Sequence, residues 1–278
     1  MLTSCLSSIE VLNYSKGHFE VIIIDDGSTD AAYKDITGMT QQFTCNIRVI
    51  RQSNGGPAKA RNNGIRNSKE EFVAFTDDDC EVDRNWLLEL VKGFTSEDIA
   101  GVGGMVVSKN KDILSQYIDY HRILQPPVED HNIKYLVTAN ACYRRKYLLD
   151  VGGFSEEIEN PGGEDPDLSY KIKRLGYILS FNPAGVVVHN HKQDIRSFYR
   201  TFYNYGKGIR FLWEKWGEKS LKQLPNAPIL EFIKWDNLKA IYGYFKYAGI
   251  KKAIPFWILR VTQQYAISRG FKSGYFKA

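Results

Sequence analysis

No apolar run in this sequence approaches the ~18 residues that a membrane-spanning helix needs. The longest candidate, Ala253 to Leu259, is stopped by Arg260. Cysteine is scarce: Cys5, Cys45, Cys80 and Cys142 are scattered, and none forms a CxxC pair. That pattern suggests neither a zinc knuckle nor a thioredoxin-like site, and isolated thiols in a chain of 278 residues read as reduced and cytosolic. The first residues lack a basic stretch followed by an apolar core, so no secretory signal is expected. Internal repeats and low-complexity segments are missing too. Nor does charge of one sign dominate. A net charge of +5 with a pI near 8.8 is too weak to argue for nucleic acid, and would suit an anionic substrate or an anionic membrane surface equally well.

What is there is an ordinary globular composition, 43% hydrophobic and 25% charged, which excludes a disordered chain. The length fits one domain of ~200–250 residues with a smaller appendage. Short β-branched or apolar runs at 20–24, 46–50, 71–76, 100–107, 136–143 and 185–189 read as strands. They alternate with helical spacing at 58–67, 86–94 and 165–175, which predicts an α/β fold with helices covering a mostly parallel sheet. Periodicity weakens between Ser108 and Lys134, where Pro126, Pro127 and Glu129–Asp130 mark a loop. From about residue 196 aromatic and basic residues crowd together, and two helical stretches, roughly 230–247 and 253–269, follow Pro228. The expected division is 1–195 for the α/β part and 196–278 for a helical extension.

Chemistry concentrates at the strand ends, where open parallel sheets bind ligands. Asp25–Asp30 (DDGSTD) follows the first strand; a carboxylate there suits a ribose or a base N–H, while Ser28 or Thr29 as a helix cap is the plainer use. Asp77, Asp78 and Asp79 follow the strand at 72–75. Three adjacent carboxylates repel one another unless a cation or donors offset them. In an extended chain Asp77 and Asp79 face the same way, a spacing for a hard divalent ion such as Mg²⁺ or Mn²⁺ that also binds phosphates. Asn54–Gly64 supplies glycines, Lys59 and Arg61, a loop fit for phosphates. Glu164 and Asp165 stand at a helix start after Gly162-Gly163. The helix end favours an ionised carboxylate, a suitable general base, although Pro166 also fits a standard helix start. His189 and His191 close the late strand; either could add a nitrogen ligand to an ion held by Asp79.

In that order, the segments EVIIIDDGSTD, NGGPAKARNNGI, FVAFTDDDCEVDRNWL, NACYRRKYLLDVGGFSEEI and GGEDPDLSYKIKRLGY resemble the family 2 glycosyltransferases over about residues 2–190. The resemblance implies the GT-A fold, a Rossmann-like sandwich, and transfer with inversion from a nucleotide diphosphate sugar to a glycan or lipid-linked hydroxyl acceptor. It implies that Asp26, Arg61, Asp77, Asp78 and Glu164 serve the donor. Asp26 would lie on the base, and Asp77 near the ribose or donor sugar. Asp77 and Asp79, with His189 or His191, would hold Mg²⁺ or Mn²⁺, and Asp165 would be the catalytic base. Asn140 and Gly152-Gly153-Phe154 would line the sugar sites. Members of the family begin with a strand of the type V-S-V-I-I-P-T-Y-N ahead of a helix that Leu2–Val11 matches. The expectation is therefore a chain whose first strand is missing, from an upstream start or a truncation, unless the remaining strands close the gap.

A sugar-1-phosphate nucleotidyltransferase would need a Gly-rich, Arg-containing loop after the first strand, where the acidic Asp25–Asp30 stands instead. A sugar-binding module that has lost catalysis is opposed by the full set of motif carboxylates. The aromatic-basic segment 196–216 has the helical spacing of a packed face, against a role in binding nucleic acid. The mixture of aromatic, aliphatic and basic residues over 229–270 suits peripheral contact with an anionic membrane, or packing on the catalytic domain or on a second copy. The expected location is cytoplasmic, with such contact at the cytoplasmic face of the membrane.

Overall fold

The structure, a computed structural model, describes residues 1–129, 132–191, 194–217 and 235–274, with the backbone alone for 235–238. In chain order the elements are α1 (Leu2–Glu10), β1 (Glu20–Asp26), α2 (Asp30–Thr40), β2 (Asn46–Gln52), α3 (Gly56–Asn67), β3 (Phe72–Thr76), β4 (Cys80–Val82), α4 (Trp86–Lys92), β5 (Ile99–Ser108) and α5 (Ile113–Tyr120). After these come β6 (Val128–Glu129), β7 (Asn132–Ile133), β8 (Asn140–Arg144), α6 (Arg145–Asp150), α7 (Glu164–Arg174), β9 (Ile178–His189), α8 (Ile195–Trp216), α9 (Trp235–Ala248) and α10 (Ile250–Ser273). They divide into two compact units. The first comprises Met1–Lys109, Leu124–Asn160 and Glu164–Asn190; the second comprises Asn110–Ile123, Pro161–Gly163 and His191–Ala278.

The first unit is the α/β part. β1 and β2 pair in parallel, Ile23 opposite Val49. A five-stranded sheet has the order β3-β8-β5-β9-β4. Within it β5 and β9 are parallel, while β8 runs against both β3 and β5, and β4 runs against β9. The sheet is thus mixed, not mostly parallel. A continuous apolar run signals that a strand is buried on both faces; it carries no information on direction. Among the described residues β1 is bonded only to β2 and β3 only to β8, so the two sheets do not join. Among the described residues, one edge of β1 and one edge of β3 lack a ladder partner. Apolar clusters cover both faces of the larger sheet: Trp86, Leu90, Val102, Cys142 and Val187 belong to one, Leu136, Tyr143, Leu148, Phe154 and Leu168 to the other.

The second unit is helical. α5 lies in the stretch that the weak periodicity assigned to a loop. Its cap is Asp112, whose carboxylate accepts from the backbone N–H groups of Leu114 and Ser115 at 2.9 and 3.1 Å, and it buries Leu114 and Tyr117. The aromatics of α8 are a packed face, as their spacing predicted: Phe198, Phe202 and Phe211 are buried. α8 and α10 touch backbone to backbone. A Cβ on Gly206 would lie 2.1 Å from the carbonyl oxygen of Ile267, and one on Gly270 would lie 1.9 Å from that of Tyr203. The predicted late helices correspond to α9 and α10. Asp130, Pro228 and residues 229–234 of the expected helical region lie outside the described residues, as do the side chains of 235–238.

Candidate active site

The turn after β1 is held by its own carboxylates. Gly27 takes a φ of +83°, and a Cβ on it would stand 2.8 Å from the Asn54 nitrogen, so the turn requires glycine. Asp25 is buried, accepts from the Ser28 N–H at 3.1 Å and pairs with Arg51 at 3.4 Å. Asp26 accepts from Gln52 Nε2 at 2.8 Å and from the N–H groups of Gly55 and Gly56 at 2.9 and 2.8 Å. These two N–H groups open α3, the loop that the sequence suggested for phosphate. A carboxylate already occupies them, as a helix N-terminus favours. Asp26 therefore organises the loop from within.

At the end of β3 the chain turns through Asp77, Asp78 and Asp79 into β4. Asp78 is exposed, while Asp77 and Asp79 are half-buried; the segment is a tight turn, closed by the Cys80 N–H donating to the Asp77 carbonyl at 3.1 Å, and not the extended chain expected from the sequence. The β4–β9 register sets His189 opposite Cys80 and so beside Asp79, with 3.5 Å between His189 Nε2 and Asp79 Oδ1. Ligand atoms of Asp77, Asp79, Cys80 and His189 all lie within 4.8 Å of one another. Burial and the neighbouring carboxylates push the Cys80 thiol well up, so it stays protonated and contributes least. Burial likewise raises the Asp79 carboxyl; the His189 imidazole opposes that rise, while Asp77 and Asp78 add to it. Two carboxylates and an imidazole form a donor set for a hard divalent cation, and one would offset the charge they crowd together. His191 belongs to the second unit and is outside this group.

Asp165 sits in the first turn of α7. Its Oδ2 accepts from the Thr138 N–H at 3.0 Å and from Thr138 Oγ1 at 3.1 Å. Its Oδ1 is buried without a hydrogen bond. Burial first, then the adjacent charge of Glu164, push its carboxyl up to about 7, while Arg61 and Thr138 pull the other way. Arg61 reaches from α3 to Glu164 at 2.9 Å, Asp77 at 3.5 Å and Asp165 at 3.9 Å. Its guanidinium also lies 5.7 Å from the Phe154 ring centroid. The structure thus joins the β3 end to the α7 start through one cation, whose near partners are carboxylates of this chain.

Two expected sugar-lining segments serve the core. Asn140 is buried, accepts from Trp86 Nε1 at 2.8 Å and donates to the carbonyls of Met105 and Gly185 at 2.8 Å each. Phe154 is buried, and Asn62 grips its backbone on both sides, at 2.8 and 2.9 Å. Thr138, the residue that orients Asp165, escaped the sequence reading. A hydroxyl residue in an apolar run, Leu136–Ala139, is the signal that could have found it.

The family model for glycosyl transferase family 2 matches residues 1–152. The pre-mycofactocin glycosyltransferase of Mycobacterium tuberculosis is 32% identical over 195 residues, covering 66% of this chain and 40% of that protein. The glycosyltransferase AglE of Haloferax volcanii is 27% identical over 215 residues, covering 76% of this chain and 69% of that one. Among solved structures, GalNAc-T7 with UDP, GalNAc and Mn²⁺ aligns with a TM-score of 0.57 at 18% identity, over 81% of this chain and 49% of that one. Staphylococcus aureus TarS 1–349 with UDP-GlcNAc aligns with a TM-score of 0.53 at 16% identity, over 98% and 87%. These two likenesses concern the fold, a GT-A sandwich.

Proposed function

Because the chain belongs to glycosyl transferase family 2, we propose that it transfers a sugar from a nucleotide diphosphate sugar to a hydroxyl of a glycan or lipid-linked saccharide, with inversion. The observation that carries this reading is the assembly of Asp77, Glu164 and Asp165 on Arg61, with the Asp77, Asp79 and His189 donor group at the same strand end. In this reading Asp165 takes the proton of the attacking acceptor hydroxyl as its oxygen bonds the anomeric carbon. The bond to the diphosphate breaks on the opposite face of the sugar, and a single displacement inverts the centre. A carboxyl held near 7 is matched to accepting a proton at neutral pH. Thr138 keeps Oδ2 engaged and leaves Oδ1 for the hydroxyl. Asp77, Asp79 and His189 would hold Mg²⁺ or Mn²⁺, which when bound offsets the negative charge of the leaving diphosphate. Arg61 keeps the carboxylates of the two elements in place.

The solved relatives carry UDP, UDP-GlcNAc and Mn²⁺, which makes uridine diphosphate sugars the first donors to try. The four cysteines, all free and buried, fit a reducing cytoplasm. A nucleotidyltransferase is disfavoured by Asp26, whose carboxylate fills the N–H groups at the start of α3. The test is a panel of nucleotide sugars scored by released nucleoside diphosphate. At least one donor should turn over with Mn²⁺ or Mg²⁺, and a chelator should stop it. No release from any donor with either metal, together with no metal-dependent binding of a nucleoside diphosphate, would refute the proposal.

A further inference from the structure

Helices α9 and α10 are joined at Gly249, whose φ of 78° is a conformation suited to glycine. Their inner faces supply Tyr244, Ala253, Phe256 and Leu259 to the core of the second unit. An amphipathic helix at a water-facing surface would carry polar residues outside. Here Tyr242, Phe245, Ile250, Ile254 and Ile258 are between 49% and 70% exposed. Ile250, Ile254 and Ile258 recur every four residues, so they form one stripe along α10. The stripe continues onto α9: Tyr242, Phe245, Ile250 and Ile254 line one shallow apolar depression of about 470 Å³. A contiguous exposed apolar surface marks an interaction site.

The charge around the patch selects the partner. From Asn237 to Ala278 the sequence holds eight lysines and arginines and neither aspartate nor glutamate. Lys246 and Lys251 are exposed next to Phe245 and Ile250, and among the described residues they enter no ion pair. A second copy of this face would set cations against cations. No helix among the described residues is long and apolar enough to cross a membrane. What remains is an apolar stripe with aromatic side chains and basic flanks, the composition that lies in the headgroup boundary of an anionic bilayer.

We propose that the outer face of the α9–α10 hairpin is a docking surface for anionic lipid bilayers, with Phe245, Ile250 and Ile254 entering the interface and Lys246 and Lys251 facing lipid phosphates. This surface belongs to the second unit.

The test is flotation of the full chain with vesicles of phosphatidylcholine, alone or with about 30 mol% phosphatidylglycerol. The chain should float with the anionic vesicles, roughly tenfold less with neutral ones, and less as salt rises. A triple Phe245→Ser, Ile250→Ser, Ile254→Ser variant and a double Lys246→Glu, Lys251→Glu variant should each lose roughly tenfold or more of the binding. Both change exposed side chains, and circular dichroism checks that each keeps its helix content and Tm. The unaltered chain tests the proposal by itself: if it stays at the bottom with both vesicles, or floats equally with both, the proposal is overturned. It is also overturned if folded variants bind as the unaltered chain does, or if the triple variant dissolves a dimer in sedimentation velocity while no form binds vesicles.

Discussion

Arg61→Met removes the charge that three carboxylates share and keeps a side chain of similar length over Phe154. Glu164 and Arg61 are both largely buried, at 5% and 18% side-chain exposure. Removing one partner of a buried pair costs about 3–5 kcal/mol, because the other is left charged and desolvated. Arg61 keeps some contact with solvent, so we expect the lower end, about 3 kcal/mol. The loss should depend on pH. The folded chain holds the Asp165 carboxyl up at about 7, above its unfolded value, so this group contributes stability at acid pH that is lost as pH rises through 7. Arg61 is one of the groups pulling that carboxyl down. Without it the carboxyl rises further, and the deficit grows between pH 5 and pH 8. Urea unfolding followed by tryptophan fluorescence at both values measures it. Arg61→Lys, a point charge without the planar fork, should recover part of the loss. A deficit below about 1 kcal/mol, or one equal at the two pH values, would refute the reasoning. Reduced nucleotide affinity with unchanged stability would instead make Arg61 a phosphate ligand, as the sequence had suggested.

Asp79→Ala should abolish Mn²⁺-dependent binding of a nucleoside diphosphate in calorimetry while the exposed Asp78→Ala does much less; equal losses would mean that the ligands are misassigned. Transfer should rise with pH through about 7, because Asp165 must lose its proton to act as a base, and a rate flat from pH 5 to 8 would contradict that role. Thr138→Val removes a donor to Asp165, so the acid limb of that profile should move to higher pH; an unchanged limb would show that Thr138 does not tune the base. Gly270→Val places a side chain against the Tyr203 carbonyl and should lower stability by about 3 kcal/mol or prevent folding, as overpacking a tight contact does; a Tm within a degree or two of the parent would contradict the helix contact.

The strands β1, β2, β3 and β5 were legible because each contains a short β-branched or apolar run bounded by polar turns, although β5 is buried along most of its length while β1, β2 and β3 are mostly half-buried. Their directions were not. Nothing in Asn140–Arg144 distinguishes an antiparallel strand from a parallel one, and β8 proved antiparallel to both neighbours. Helix α5 was hidden because Pro126 and Pro127 dominate its surroundings, while its cap, Asp112, has no acidic or amide residue at the third helical position to advertise it. In the candidate site the spacing of Asp77 and Asp79 announced itself locally. The Arg61–Glu164 pair did not, because its members are 103 residues apart and only the fold brings them together. The contacts of Asp26 were hidden for the same reason: the N–H groups it holds are 29 and 30 residues further along the chain.

The most direct test of the account is Asp165→Asn, assayed with a donor that the unaltered chain turns over. The substitution keeps the shape of the side chain and its contact with Thr138 and removes the basic oxygen. General-base catalysis is worth ~10²–10⁴-fold, so transfer should fall by that factor, while metal-dependent donor binding by calorimetry stays close to that of the unaltered chain. Turnover near the unaltered rate, with donor binding intact, would contradict the assignment of Asp165 and with it the single-displacement mechanism.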